Sequence, residues 1–343
     1  MRRIMIVTNS LTGGGAERSM NLVSNELTKR GWPVALVPIN FSEPDLVDLA
    51  CEVFPLNRQW RGGIFNTLSA IKKFNQVVHS WKPDLLVLNC DLPELFGALL
   101  LSNRRMVAVE HINRPWITRL TFGRMVRGFL RIRRVTWVAV SSHLTIWPEG
   151  ISPNAILLNS LTPISVTMPT KNQTDKNPKL TRIVFIGRLT PQKRPEWILE
   201  IVSKSGLNAE IFGDGLLKNA LQSQAAEHKQ NIIFSGFVRD PWSHLGLGDL
   251  LIVPSEWEGD GLVVIEALKV NIPILVADIP DFRRFGLPDK NYCKNIDDFV
   301  GRINQYRDDL YSLVVAEEIT DSILASRSLE VVGDAWEKFL NSA

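Results

Sequence analysis

Glu258 and Glu266 stand eight positions apart in SEWEGDGLVVIEALKV, the first among glycines and the second inside an apolar run. Gly259 and Gly261 let the backbone around Glu258 approach a polar ligand. A helix opening near Gly261 and Leu262 carries Glu266 about two turns further on. Carboxylates accept hydrogen bonds from sugar and ribose hydroxyls, and a helix start attracts phosphate. Upstream, IGRLTPQKRP sets Arg188 and Lys193 on the loop leaving an apolar strand. Arg188 can grip phosphate oxygens with two parallel bonds and Lys193 can add a mobile point charge. The plain alternatives are a surface Glu before an ordinary amphipathic helix, and a solvated loop carrying two cations. Gly213 and Gly215 in IFGDG, and Gly236 in FSGFVRD, also follow strand ends. In the first half TGGGAE brings Gly13, Gly14 and Gly15 to a helix start, either as an anion cradle or as a structural turn. The triplet is neither GxGxxG nor a P-loop, so the nicotinamide and nucleoside-triphosphate fingerprints are missing.

These residues must be held by strands and helices, and the chain alternates the two twice. RIMIVTN, the amphipathic AERSMNLVSNELTKRG, PVALVPI, GIFNTLSAIKKFNQVVHSW, PDLLVLN, PELFGALLLSN and RMVAVEH form the first series. TRIVFIG, AEIFGDG, NIIFSGFV, DLLIVPS and IPILVAD, with helices between, form the second. The Pro-, Thr-, Asn- and Lys-rich stretch 161–180 between them has neither period and reads as a linker. The expected architecture is α/β: two Rossmann-like, doubly wound parallel-sheet domains, 1–160 and 181–327, facing across a cleft. Ligands of such sheets bind outside the carboxyl ends of the strands, so both carboxylates are expected to point into that cleft.

The 343 residues are 45% hydrophobic and 22% charged, without an apolar run long enough to span a bilayer. The amino terminus lacks the pattern of a signal peptide, so a cytoplasmic location is expected. Cys51, Cys90 and Cys293 are too scattered for a metal site and read as buried free thiols. The charge is divided unevenly. Residues 1–160 carry 19 Lys/Arg against 11 Asp/Glu, +8, and the remainder 20 against 25, −5. That asymmetry assigns a surface role to the first half, toward an anionic membrane or nucleic acid.

Taken in order, GGGAE, VEHIN at Glu110 and His111, GR followed by Lys193, GDG, GFV and SEWEGDGLVVIEA resemble the retaining nucleotide-sugar glycosyltransferases of the GT-B fold, family 4. The resemblance covers nearly the whole chain. It implies that Arg188 and Lys193 hold the donor diphosphate, Glu258 contacts the sugar and Glu266 the ribose hydroxyls. It further implies that the Gly14 and Gly15 loop closes on the donor, that His111 sits over the sugar, and that the turn at Val238 and Arg239 meets the base through its backbone. Gly213, Gly259, Gly261 and Leu262 complete the donor site, and a helix near 328–343 rejoins the first domain. Asp260 departs from the family, which usually has an aromatic or aliphatic residue there, and implies a more polar sugar pocket.

The implied reaction moves a sugar, with retention, from a UDP- or GDP-linked donor to an acceptor hydroxyl. Charge developing on the leaving diphosphate would be met by Arg188 and Lys193. No D-x-D stretch occurs, so no metal or cofactor is expected. His111 is read either as catalytic or as a structural histidine. Rival functions are a sugar-nucleotide epimerase of the same architecture and a non-catalytic nucleotide-sugar-binding module. A glycoside hydrolase would need a carboxylate pair across the scissile bond that nothing here marks.

The segment 119–137 has Arg119, Arg124, Arg127, Arg131 and Arg134 but no acidic residue. As a basic amphipathic helix it is expected either to face an anionic bilayer or to pack as a core helix with a solvated edge. Nucleic acid is disfavoured for want of a motif. The membrane reading implies a lipid-linked saccharide acceptor, as in bacterial surface polysaccharide assembly, and work on the inner face of the cytoplasmic membrane.

Overall fold

The computed structural model describes residues 1–41, 48–60, 62–162, 164, 166 and 178–342. Most of the expected linker, 161–180, lies outside them. The chain divides into two units, Met1–Thr162 with Ser326–Ala343, and Pro163–Ala325.

The first unit runs β1 (Ile4–Thr8), α1 (Gly15–Lys29), β2 (Val34–Pro38), β3 (Glu52–Val53), α2 (Ile64–Trp81), β4 (Leu85–Asn89), α3 (Asp91–Ala98), β5 (Arg105–Glu110), α4 (Leu120–Ile132), β6 (Thr136–Ala139) and β7 (Ala155–Ile156). Among the described residues its sheet is parallel throughout, in the order β3-β2-β1-β4-β5-β6-β7. Strands β1, β2 and β4 are buried along their whole length, as strands covered on both faces must be. Phe74, Phe96, Val126 and Leu130 from α2, α3 and α4 pack on one face. Met20, Val23 and Leu27 of α1 cover the other.

The second unit contributes β8 (Arg182–Ile186), α5 (Glu196–Ser205), β9 (Asn208–Phe212), α6 (Lys218–Glu227), β10 (Ile232–Gly236), β11 (Asp249–Val253), α7 (Leu262–Val270), β12 (Ile274–Ala277), α8 (Pro280–Arg283), β13 (Tyr292–Cys293), α9 (Ile296–Tyr306) and α10 (Glu317–Leu324). Its sheet is again parallel, in the order β10-β9-β8-β11-β12-β13. The last helix, α11 (Leu329–Ser342), belongs to the first unit, where Val332, Trp336 and Leu340 join α1. Arg30 fixes it there through Glu337 at 3.2 Å and the Glu330 carbonyl at 3.0 Å.

In each sheet the strand order reverses once, between β1 and β4 and between β8 and β11. The crevice at the carboxyl ends of such a strand pair is where doubly wound sheets bind ligands.

Candidate active site

In the second unit the two loops at the reversal carry the residues singled out from the sequence. The β8 loop holds Arg188 and ends in a 3-10 turn, Pro191–Lys193, before α5. The β11 loop holds Ser255, Glu258, Gly259, Asp260 and Gly261 and runs into α7. Backbone and side chain sew the two together. Glu256 N donates to the Gln192 carbonyl at 2.8 Å, and Gln192 Nε2 to the Trp257 carbonyl at 3.0 Å. Lys193 and Glu258, 65 positions apart, form an ion pair with both side chains largely withdrawn from water. Ser255 Oγ donates to the same Glu258 oxygen at 2.7 Å, and Asp281 Oδ2 accepts the Glu258 N–H at 2.8 Å. A carboxylate and an ammonium are thus held beside the opening of α7, and Arg188 is exposed with no ion pair among the described residues.

Gly261 precedes α7 with φ of 62°, and Glu266 is buried in that helix and already has an interaction partner. Asp260 is buried too, but Arg284 Nη2 donates to its carboxylate at 3.2 Å and its carbonyl at 2.7 Å. Its charge is therefore met within the protein. At Gly213, φ of 151° and the nearby Gly187 carbonyl leave no room for a side chain. Val238 and Arg239 lie on the loop after β10, two strands from β8.

In the first unit β4 ends on Asn89 and β5 on Glu110, followed by His111. His111 Nε2 lies 2.6 Å from Asn89 Oδ1, so the side-chain amide orients the ring. The glycine triplet behaves differently from an open anion cradle. Gly14 is the residue before α1, and its N–H donates to Glu17 Oε2 at 3.1 Å. The protein's own carboxylate occupies that donor, which opposes a phosphate at the same position.

Arg127 requires a correction. Expected on a membrane-facing side of 119–137, it is 1% exposed and points into the unit. Its Nε and Nη2 grip Glu94 at 2.9 and 2.6 Å, Nη1 donates to Glu110 at 2.7 Å, and Nη1 also reaches the Trp147 carbonyl at 2.8 Å. Periodicity could not separate it from the other arginines, because Glu94 and Glu110 come from α3 and β5. Three acids, Asp91, Glu94 and Glu110, surround this one guanidinium. Burial accordingly pushes Glu110 up to about 7, against the pull of Arg127, and Asp91 to about 6, with Glu94 adding to the rise. Arg131 instead pairs with Glu149. Outward, α4 presents Met125 (62% exposed), Phe129 (59%) and Ile132 (79%), with Arg124 beside them. Of the cysteines only Cys293 is buried, its thiol pushed up to about 12 by that burial; Cys51 and Cys90 are half-buried.

Residues not singled out from the sequence are Ser255, Gln192, Asp281, Asn89 and Asp91. Ser255 opens the stretch SEWEGDG, so its signal is local. Asp281 and Asn89 act through contacts across 23 and 22 positions, for which local pattern holds no signal.

Residues 168–309 match the family model described as Glycosyl transferases group 1. An uncharacterised glycosyltransferase of Haemophilus influenzae is 26% identical over 290 residues, covering 80% of each chain. The Escherichia coli UDP-Gal:alpha-D-GlcNAc-diphosphoundecaprenol alpha-1,3-galactosyltransferase is 30% identical over 105 residues, 28% of this chain and 27% of that one. Among solved structures, Anabaena HepE in complex with UDP-glucose matches over 100% of both chains with a TM-score of 0.79 and 15% identity. The chain therefore has a GT-B fold, and its residues 168–309 are similar to the Glycosyl transferases group 1 family.

Proposed function

We propose that this protein is a retaining glycosyltransferase that takes a sugar from a nucleoside diphosphate and delivers it to a hydroxyl of a lipid-linked saccharide. The observation that carries the reading is the meeting of Lys193 and Glu258 at the β8/β11 reversal, next to exposed Arg188. Lys193 and Arg188 bind the diphosphate and stabilise the charge that grows on it as the glycosidic bond breaks. Glu258 exchanges its Lys193 contact for sugar hydroxyls, and Glu266 accepts from the ribose. Gly213, Gly259, Gly261 and Leu262 line the donor, and Val238 and Arg239 meet the base. His111, oriented by Asn89, faces the reacting sugar with Gly14 and Gly15. The donor is UDP- or GDP-linked, and transfer uses no metal.

The lipid-linked acceptor draws support from the acceptor in the name of the Escherichia coli relative, alpha-D-GlcNAc-diphosphoundecaprenol. It also draws support from the outward face of α4, where apolar Met125, Phe129 and Ile132 sit beside Arg124, a combination suited to the headgroup region of an anionic leaflet. No helix among the described residues is long and apolar enough to cross a membrane, and the protein would work peripherally on the inner face of the cytoplasmic membrane.

Thermal unfolding in the presence of a panel of nucleoside-diphosphate sugars tests the donor. One UDP- or GDP-sugar at about 100 times its dissociation constant should add roughly 2.7 kcal/mol of stability. Release of the nucleotide with and without a lipid-linked saccharide then separates transfer from epimerisation or silent binding. No stabilisation by any nucleotide sugar would remove the reading.

A further inference from the structure

The carboxyl ends of the neighbouring strands β4 and β5 bring Asn89 and His111 into contact, and the surroundings of Asn89 decide how the two meet. Asn89 pairs with Val109, and His111 lies two residues beyond that partner on the same face; Glu110 between them turns the other way, toward Arg127. Asn89 is fully buried and His111 half-buried. The Asn89 Nδ2 donates to Thr8 Oγ1, at the end of β1, at 3.3 Å and to the Ala16 carbonyl, in the first turn of α1, at 3.4 Å. The Thr8 hydroxyl points its own proton at the Ser10 carbonyl at 3.5 Å, so it receives from Asn89. A backbone carbonyl can only accept. Turning the amide over would set two carbonyl oxygens against each other at Ala16, so this network holds Oδ1 toward His111.

An amide oxygen has no proton to give, and this one lies 2.6 Å from His111 Nε2. Nε2 therefore bears the hydrogen, and in the neutral ring the lone pair falls on Nδ1. The partner's neutrality matters as much as its position. A carboxylate in the same place would hold the tautomer and also stabilise an imidazolium, whereas an amide holds the tautomer without adding a negative charge. Nδ1 of such a ring suits a hydroxyl, which has a proton to donate. It does not suit a diphosphate oxygen, which is an acceptor like itself.

We propose that Asn89 is a positioning residue that locks His111 in its Nε2-protonated tautomer, so that Nδ1 meets a substrate hydroxyl as an uncharged acceptor rather than meeting the diphosphate as a cation. The assignment rests on the sugar-transfer reading and deepens it by naming the atom of His111 that meets the substrate and the residue that selects it. Thr8 and Ala16 serve the same end at one remove, since their oxygens keep the Asn89 amide from turning over. The tautomer itself is a property of the protein alone and is measurable with no donor present.

The test is nuclear magnetic resonance of the full-length protein carrying 15N in the imidazoles of its five histidines, with H111Q identifying the His111 signals. At about pH 8.5, roughly two units above an ordinary imidazole, the His111 ring should show a protonated Nε2 and a bare Nδ1. N89D keeps an accepting oxygen but makes the partner an anion, so the ring should hold its second proton to a pH at least about one unit higher than in the wild type. In transfer assays H111Q should stay within about tenfold of the wild type, because an amide can donate to Asn89 from one end and accept a hydroxyl at the other. H111K, which supplies a cation and no acceptor, should lose about 10²-fold. A protonated Nδ1 in the wild type at that pH, a His111 titration blind to N89D, or transfer by H111K equal to that by H111Q overturns the assignment. The spectra need no donor, so a failed transferase reading leaves the tautomer lock standing, and a protonated Nδ1 in an active transferase sinks the lock alone.

Discussion

Replacing Arg127 with Met removes the cation from a site where Glu94 and Glu110 are 1% and 2% exposed. Losing one partner of a buried charge cluster typically costs about 3–5 kcal/mol, because the remaining carboxylates stay desolvated and uncompensated. For a unit of this size that corresponds to a fall in melting temperature on the order of 10 °C. The loss should depend on pH. Glu110 titrates at about 7 in the fold against an ordinary 4.5, so the folded state holds a proton that the unfolded chain has released. The stability from that proton is fully present below the ordinary value and is lost as pH rises through about 7. Asp91, raised to about 6, acts in the same direction. Arg127 pulls Glu110 down, so R127M raises it further and extends the loss to higher pH. Thermal unfolding followed by tryptophan fluorescence at pH 5.5 and 8 should therefore show a larger deficit for R127M at pH 8. Adding E94Q and E110Q should recover most of it. A deficit below about 1 kcal/mol at pH 8, or one equal at both pH values, would refute the reasoning.

Glu266→Ala should raise the donor KM more than it lowers kcat, since ribose contacts exist in ground and transition states alike; steady-state kinetics with varied donor checks it, and a collapsed kcat at unchanged KM contradicts the role. Transfer should persist in excess EDTA, and loss of activity restored by Mn or Mg would mean that Arg188 and Lys193 do not suffice for the diphosphate. M125E with F129E should abolish salt-sensitive cosedimentation with phosphatidylglycerol vesicles, and unchanged sedimentation would free α4 from any membrane role.

What the sequence disclosed follows from how each element is buried. Strands such as β1, β4 and β11 are covered on both faces and read as unbroken apolar runs. The edge strands β3, β7 and β13 are two residues each, too short for any period, and were invisible. Gly261 and Glu266 were legible because glycine, helix start and carboxylate are local. The Lys193–Glu258 pair was legible only as two separate residues of suitable type, since pairing needs the register of β8 against β11. Arg127 misled for the converse reason. Its spacing matches Arg124 and Arg131 of α4, and its partners lie 33 and 17 positions away. Asp260 was legible as a polar residue, but its partner Arg284 lies 24 positions on, beyond the reach of local pattern.

The most direct test of a diphosphate leaving-group site at the β8/β11 reversal is the rate of sugar transfer, at saturating donor, by Lys193→Ala and Arg188→Ala. Each removes a charge-assisted contact that strengthens as negative charge develops, so each should slow transfer by about 10²-fold or more with folding intact. Near-normal turnover in both variants would contradict the account.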